Sequence, residues 1–521
     1  MSTPGPTESS GTSARGLGAT AARGALVMLT GQGVRVVLQF ASLVALARLL
    51  TPHDYGLVAV VLVIIGVGEI FRDFGLSSAA IRAPELSRDE STNLFWINSG
   101  IGFVLGSALF FLAGVVAQAF GQPEVVGIAR AMSIVFLLNG ITTQFRALLV
   151  RGLRFRWLAT MDVLAPAIAL ASALTAALLG WGYWSLVVQN ITQALALLTG
   201  AVIGARVIPG LPRRDVSVRS FVSFGGNIVL TQLVMYATNR LDTAVIGYVN
   251  GATPLGLYNR AQQLVVTPVS QIQAPATSVA MPVLTRLNDH PERFDAFLLR
   301  GQLALGYPIA LAMAFVAAAA EPIVRIMLGE QWLAAVPLLQ LFAVMGIARN
   351  LAFVGSWVYV VRGLSTSLFR FTAATAIVPI AGILIGSHWG VVGVATGVAL
   401  APWITWPISI GWLSRVTSVP VRSLYGGALR IILVAAITCT TASVTIALLP
   451  PLPAIGSIAV CAGVGAATLA LLCLHPALRA DARDLREVAL LVIRRRSRSS
   501  SAPAAEQRDG EPDQEPGASS T

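Results

Sequence analysis

The sequence contains no lysine, four histidines and three cysteines in 521 residues, and its charged fraction is 12% where soluble domains carry about 25%. Together with a hydrophobic fraction of 55% and a mean hydropathy of +0.75, that scarcity excludes a soluble globular protein. Cys439, Cys461 and Cys473 all lie inside apolar runs, so neither a disulfide framework nor a metal cluster has the ligands it needs. They read as small core hydrophobes. His53, His290, His388 and His475 are scattered over different loops and make no metal spacing. The phosphate-cradling GxxxxGK[ST] pattern is missing, which argues against ATP hydrolysis within this chain. No cofactor is expected.

All 36 basic residues are arginine, and the formal charge is +12. The arginines sit between long apolar stretches instead of forming one stripe, so the expected polyanion is a membrane and not a nucleic acid.

Windows apolar enough to cross about 30 Å of hydrocarbon number about fourteen, with short connections between them. The expected fold is an all-α integral membrane protein. The first run, 24–50, is of full spanning length and continues into further spans, so it should stay uncleaved. Residues 1–22 and the polar stretch toward the C-terminus read as disordered.

Arginine placement tests the span count, because a wrong number would scramble the alternation that the positive-inside rule demands. With a cytoplasmic N-terminus, one side collects Arg82 and Arg88, Arg146 to Arg156, Arg206 to Arg219, Arg286 to Arg300, Arg415 and Arg422, and the cluster Arg494 to Arg498. The opposite loops, such as Thr51 to Gly56, Gly121 to Glu124, Gly180 to Tyr183 and Pro450 to Pro453, are nearly free of arginine. A multi-pass protein of the bacterial cytoplasmic (inner or plasma) membrane with both termini cytoplasmic is expected.

An internal duplication shows at two places. Asp54-Tyr55-Gly56-Leu57 recurs about 200 residues later as Pro254-Leu255-Gly256-Leu257-Tyr258, and Trp181-Gly182 recurs as Trp389-Gly390 at nearly the same offset. Two six-helix bundles, 23–208 and 221–416, are expected, joined by a linker at 209–220 and related by a pseudo-twofold axis along the membrane normal. Two further helices in 417–475 and a cytoplasmic, largely disordered tail at 476–521 complete the chain.

A charge in a bilayer costs at least about 2.5–3.5 kcal/mol, so intramembrane ionisable residues are the first candidates for function. Arg35 lies about eleven residues into the first run, which at ~1.5 Å per residue is near the midplane, and Arg349 is placed likewise. Each reads either as half of a buried ion pair or as part of a cationic wall that attracts an anionic substrate. Arg240 and Asp242 occupy the outer third of the seventh span, where two residues apart they point in different directions. Asp242 is expected to answer an arginine on another helix, with a coupling proton or sodium ion as the alternative. Arg48 and Arg260 lie near outer helix ends, as snorkelling residues or an exit-side rim. Asn and Gln recur inside spans, among them Gln39, Asn98, Asn139, Asn190, Gln193 and Asn350. Helix-to-helix hydrogen bonds account for many such residues, and a cavity that handles sugar hydroxyls needs the same groups.

The stretch Ala45-Leu-Ala-Arg-Leu-Leu-Thr-Pro-His-Asp-Tyr-Gly-Leu57, followed by Asp73-Phe-Gly-Leu-Ser-Ser-Ala-Ala-Ile81 and Phe95-Trp-Ile-Asn98, resembles the opening of the polysaccharide flippase family. These are the Wzx-like members of the multidrug/oligosaccharidyl-lipid/polysaccharide exporter superfamily. The resemblance implies a V-shaped pair of six-helix bundles that passes an undecaprenyl-diphosphate-linked oligosaccharide outward by alternating access through a cationic cavity. It implies a lipid-linked oligosaccharide as substrate, membrane lipids as surroundings, and a polysaccharide polymerase and glycosyltransferases as candidate partners. Arg35, Arg240 and Arg349 are the candidates to hold the diphosphate, since the arginine fork matches its oxygens. A lipid II flippase, a multidrug exporter and a membrane enzyme of polysaccharide assembly are the alternatives. The outer loops are too short to build an enzyme's catalytic face, and a drug exporter would want an acidic cavity.

Overall fold

Long apolar runs leave the backbone few solutions in a hydrocarbon solvent, and a helix is the one that satisfies its N–H and C=O groups within its own segment. The computed structural model describes residues 32–73, 87–207, 209–212, 219–450 and 452–486, and these are helices joined by short turns. The expected tail at 1–22, the motif residues after Asp73, most of the 209–220 linker and the chain beyond Arg486 lie outside the described residues.

The first six spans are built from α1 (Gln32–Leu49), α2 (Pro52–Asp73), α3 (Arg88–Phe120), the bent pair α4 (Val125–Met132) and α5 (Ile134–Arg151), α6 (Phe155–Leu178) and α7 (Trp184–Ala205). There follow α8 (Arg219–Asn250), α9 (Ala252–Leu287), α10 (Pro291–Ala318), the short α11 (Ala320–Met327), a 3-10 segment Glu330–Ala335 and α12 (Val336–Val361). The described residues end with α13 (Ser365–Thr375), α14 (Ile377–Gly386), α15 (Gly390–Val416), α16 (Val421–Leu448), α17 (Ala454–Leu472) and a helix over 476–486, α18.

Among the described residues eleven stretches are long and apolar enough to cross a membrane, fewer than the expected count of about fourteen. The shortfall has physical sources. Helices α8 and α9, at 32 and 36 residues, are long enough but interrupted by Asn, Gln and Arg. The 52-residue stretch Ser365–Val416 is a hairpin that reverses at Ser387–Trp389.

Local sequence sets the ends of these helices. Thr51 and Asp54 cap α2 reciprocally: Thr51 N and Oγ1 donate to Asp54 Oδ2 at 2.9 and 2.7 Å, and Asp54 N donates to Thr51 Oγ1 at 3.3 Å. Pro52 takes the first helical position, where a missing N–H costs nothing. Ser87 and Glu90 form the equivalent capping box on α3, and Gly121 ends that helix in the left-handed region at φ 62°.

The duplicated segments meet each other. A Cβ on Gly56 would lie 1.7 Å from the carbonyl oxygen of Ala252, and one on Gly256 would lie 1.9 Å from that of Pro52. His53 Nδ1 faces Thr253 Oγ1 at 3.4 Å. Each contact is the counterpart of another at an offset of 200 residues, the reciprocity of a twofold interface. Around it, Trp332 is fully buried, donates Nε1 to the Ala47 carbonyl at 2.8 Å and stands edge-on to Tyr55. Gln331 donates to the carbonyls of Ala47 and Leu50, so the 3-10 segment closes the corner between α1 and α2.

At the opposite end the fixings are ionic. Arg146 pairs with Asp162 at 2.7 Å between α5 and α6, and Arg430 on α16 pairs with Asp481 on α18 at 2.8 Å. The first residues of the expected C-terminal tail are therefore an ordered helix, with Asp481 only 5% exposed.

Gly256→Ala is expected to destabilise the fold by about 1–3 kcal/mol through overpacking. Gly100→Ala, with nothing within 4 Å of its Cβ position, should be neutral or stabilising by up to about 1 kcal/mol. Thermal unfolding of the purified variants measures both.

Candidate functional site

Beneath the α2–α9 contact lies a cavity of about 560 Å³ bounded by α1, α2, α6, α7, α8 and α9. Each helix contributes a stripe at helical spacing: Arg35, Leu38, Gln39 and Ser42 on α1; Leu186, Gln189, Asn190 and Gln193 on α7; Tyr236, Arg240 and Thr243 on α8. On α9 the stripe is Asn259, Gln262, Gln263, Val266 and Thr267, beside Arg260. Counted from the Pro52 end at ~1.5 Å per residue, the wall runs from about 5 Å deep at Tyr55 to about 21 Å at Arg35.

Among the described residues three guanidinium groups line this space, those of Arg35, Arg240 and Arg260, and no carboxylate does. Arg35 is exposed to the cavity and has no hydrogen-bond or ion-pair partner among the described residues. Arg240 lies 6.0 Å from the Tyr236 ring centroid, and Tyr236 itself donates its hydroxyl to the Val63 carbonyl at 3.0 Å, joining α8 to α2. Arg260 stacks on Tyr55 with its guanidinium carbon 3.7 Å from the ring centroid, a cation–π contact across the α2–α9 junction. Its Nη1 donates to Gln263 Oε1 at 2.6 Å, while its Nε is buried without an acceptor. Gln189 donates to Ser42 at 2.9 Å, holding α7 against α1 at the wall.

The expected site residues separate into three groups. Arg35 and Arg240 share the cavity wall, and Arg260, read from sequence as a rim residue, joins them there. Arg349 does not belong to that wall: it is exposed on α12, a helix outside the lining, next to a buried Asn350 that bonds Gln273 and the Leu305 carbonyl. Depth along a helix gave its level in the membrane but not the direction it points. Arg48 is likewise outside the cavity, with Nη2 donating to the Ile326 carbonyl and so tying α1 to the end of α11.

Asp242 has no arginine partner among the described residues. It is 5% exposed and held by neutral donors: Tyr258 Oη at 2.6 Å, Gln262 Nε2 at 3.4 Å, and Thr243 N and Oγ1 at 2.6 and 3.2 Å. The expected ion pair is replaced by a hydrogen-bonded cage, because Tyr258 rises from the first turns of α9 directly beside α8. Gln262 touches both Asp242 and the cavity, so the carboxylate stands just behind the wall. Several span-embedded amides instead join helices, as in Asn139 to Glu69 at 2.8 Å and Gln144 to Ser91 at 2.9 Å. Gln39, Asn190 and Gln193 face the cavity. Tyr55, Tyr236, Gln189, Gln262 and Gln263 were missed from sequence; the stripe spacing was the signal that would have found them. Among the described residues no group of three or more His, Cys, Asp or Glu could hold a metal ion.

Residues 45–337 match the family described as Polysaccharide biosynthesis protein. The lipopolysaccharide biosynthesis protein WzxC of Escherichia coli (strain K12) is 27% identical over 387 residues, 72% of this chain and 76% of that protein. The succinoglycan biosynthesis transport protein ExoT of Rhizobium meliloti (strain 1021) is 28% identical over 59% of this chain and 62% of its own length. The teichuronic acid biosynthesis protein TuaB of Bacillus subtilis (strain 168) is 28% identical over 54% and 59%. Among solved structures, the lipid II flippase MurJ in an inward closed conformation aligns with a TM-score of 0.64 at 15% identity, over 86% of this chain and 99% of that chain. A multidrug resistance MATE family transporter of the MOP superfamily, in an inward-facing conformation, aligns at 0.55 and 15% identity over 77% and 99%. At such identities these two structures speak to the fold alone.

Tyr258→Phe removes the shortest donor to Asp242 while keeping the ring packed on Phe342. A loss of about 1.5–3 kcal/mol is expected, the worth of a hydrogen bond to a charged group. Tyr248→Phe, at a residue 68% exposed, should leave the thermal unfolding curve unchanged.

Proposed function

The chain belongs to the polysaccharide biosynthesis protein family, and from that premise we propose that it is a flippase for undecaprenyl-diphosphate-linked oligosaccharides. The observation that carries this reading is the cavity wall with three guanidinium groups and, among the described residues, no carboxylate. A cleft lined by one sign of charge focuses positive potential and selects an anion. A diphosphate answers it best, since its oxygens accept paired N–H bonds from the planar forks of Arg35, Arg240 and Arg260.

The remaining wall suits the sugars. Gln39, Gln189, Asn190 and Gln193 offer amide donors and acceptors beside the arginines, as hydroxyl-rich ligands require. The lipid tail stays outside the cavity, where hydrocarbon surrounds it.

In this reading the N-terminus is cytoplasmic and the Pro52 end faces outward, so the α2–α9 contact is the closed outer gate. The substrate enters from the cytoplasmic side, and its diphosphate meets Arg35 and Arg240. Arg260 stands deepest toward the gate, stacked on Tyr55 and short of one acceptor at Nε. A phosphate oxygen that takes that Nε draws Arg260 off Tyr55 and weakens the junction that must part for release. Such coupling of an anion to gate opening is what alternating access requires, because a ligand shifts a two-state equilibrium only by its differential affinity for the states. The chain supplies binding and gating but no covalent step, so it acts as a transporter and not as an enzyme.

Depletion of the protein is expected to leave undecaprenyl-diphosphate oligosaccharide on the cytoplasmic leaflet, read by lipid mass spectrometry with leaflet access scored by an added sugar-modifying enzyme. Accumulation of lipid II would transfer the reading to the peptidoglycan precursor, and unchanged carrier lipids would refute it. Arg35→Ala and Arg240→Ala should each reduce polymer export tenfold or more, the scale of a lost charge-assisted bond, with normal membrane insertion. Arg325→Ala, whose guanidinium pairs with Glu321 and Glu330 away from the cavity, should keep export at the parental level.

A further inference from the structure

A second cavity, of about 410 Å³, lies at the end of the molecule opposite Pro52, between the first turns of α16, the early part of α10 and α18. It shares no lining residue with the central cavity. Its size falls within the roughly 300–1,000 Å³ of small-ligand sites.

Two of the charges on its wall cancel. Arg430 Nε and Nη2 donate to the two carboxylate oxygens of Asp481 at 2.8 and 3.0 Å, and Tyr307 Oη donates to the same carboxylate at 2.6 Å. Two others do not. Arg422 and Asp484 both line the cavity, yet neither forms an ion pair or hydrogen bond among the described residues. Gln302 adds a third unmet group. It is 2% exposed and donates Nε2 to the Leu424 carbonyl at 3.0 Å, while its Oε1 is buried without a donor. Native interiors seldom leave such an acceptor unsatisfied.

The level of the cavity narrows the ligand. Charges on α10 stop at Arg300, the next being Glu321 on α11, and Arg430 is the last charge on α16. The cavity therefore sits where charged, water-facing helix gives way to apolar span, the level of lipid headgroups. Beyond it, the row of Arg422 and Gly426 continues at three- and four-residue steps through Leu429, Leu433 and Ile437, exposed by 57, 50 and 41%. That strip is an apolar track for an acyl chain.

We propose that this cavity binds one phospholipid whose headgroup carries both a phosphate and a primary ammonium, phosphatidylethanolamine. Arg422 takes the phosphate, and Asp484 together with Gln302 Oε1 accepts the ammonium N–H groups. Both signs of charge are needed. Phosphatidylglycerol brings the phosphate with no cation for Asp484, and phosphatidylcholine brings a cation with no N–H to donate.

Native mass spectrometry of the full chain, with the three lipids added at equal concentration, tests the assignment. One phosphatidylethanolamine should be retained, about tenfold more than either of the others, as the loss of one charge-assisted bond implies. Arg422→Ala should lower that retention about tenfold. Asp484→Ala should lower it too while raising retention of phosphatidylglycerol, a pair of opposite changes that a misfolded variant, losing every lipid alike, does not produce. Arg422→Lys, which keeps the charge, controls for folding and should hold most of the binding. Equal retention of the three lipids, parental retention in both alanine variants, or a parallel loss of all lipids in Asp484→Ala overturns the proposal.

Discussion

The contact of Gly56 with the Ala252 carbonyl and of Gly256 with the Pro52 carbonyl holds α2 and α9 backbone to backbone by their first turns. Without a side chain at either glycine the two helices approach far closer than a pair of leucines would allow. In a membrane, where lipid is as apolar as a side chain, such close packing is a main source of helix association. Because the contact lies at the N-terminal ends of both helices, the space between their lower parts is left open. The cavity, its depth and the position of Arg260 at its closed end all follow from that one junction.

The polar groups then divide by whether they are satisfied. Asp242 is caged by four neutral donor contacts and sits behind the wall, so its charge is met without an arginine. Arg35 stands about 21 Å from the Pro52 end, near mid-depth, with no partner among the described residues. An unpaired guanidinium at that level is tolerable only against water or a ligand. The surplus of cations over anions among the described lining residues, with the Asp242 carboxylate bonded to Tyr258 behind the wall, gives the cavity its sign.

Much of this was legible in the sequence. The apolar runs fixed the all-helical membrane class, and the recurrence of Tyr55-Gly56-Leu57 and Leu255-Gly256-Leu257 marked the segments that meet in space. Depth along a helix pointed to Arg35 and Arg240, which line this cavity, and to Arg349, which lies outside its lining: depth is one coordinate, and which way a side chain points depends on the rotation of α12 against neighbours whose register the sequence does not state. Asp242 was read toward an arginine because a buried carboxylate needs partners; the three-dimensional pairing of α8 with α9 supplied a tyrosine instead. The spans least evident by hydropathy, α8 and α9, are two of the helices that line the cavity. On α9 the weak apolar signal and the cavity face have the same cause, a stripe of Asn259, Arg260, Gln262 and Gln263 that lines the cavity.

The two ends of the molecule are fastened by different chemistry. Around Pro52 the duplicated segments meet through glycine packing, the His53 to Thr253 contact at 3.4 Å and the stacking of Arg260 on Tyr55. Beside them, hydrogen bonds from Arg48 to the Ile326 carbonyl and from Gln331 and Trp332 to the Ala47 carbonyl tie α1 to α11 and the 3-10 segment. At the opposite end, Arg146 to Asp162 and Arg430 to Asp481 join neighbouring helices. Pulling the second pair apart would strand a carboxylate that is 5% exposed, a loss on the order of 3–5 kcal/mol. Those pairs hold α5 to α6 and α16 to α18, and among the described residues no ion pair crosses the α2–α9 junction. That junction rests on close backbone packing and on the face of one tyrosine ring, which carry no demand for a paired opposite charge.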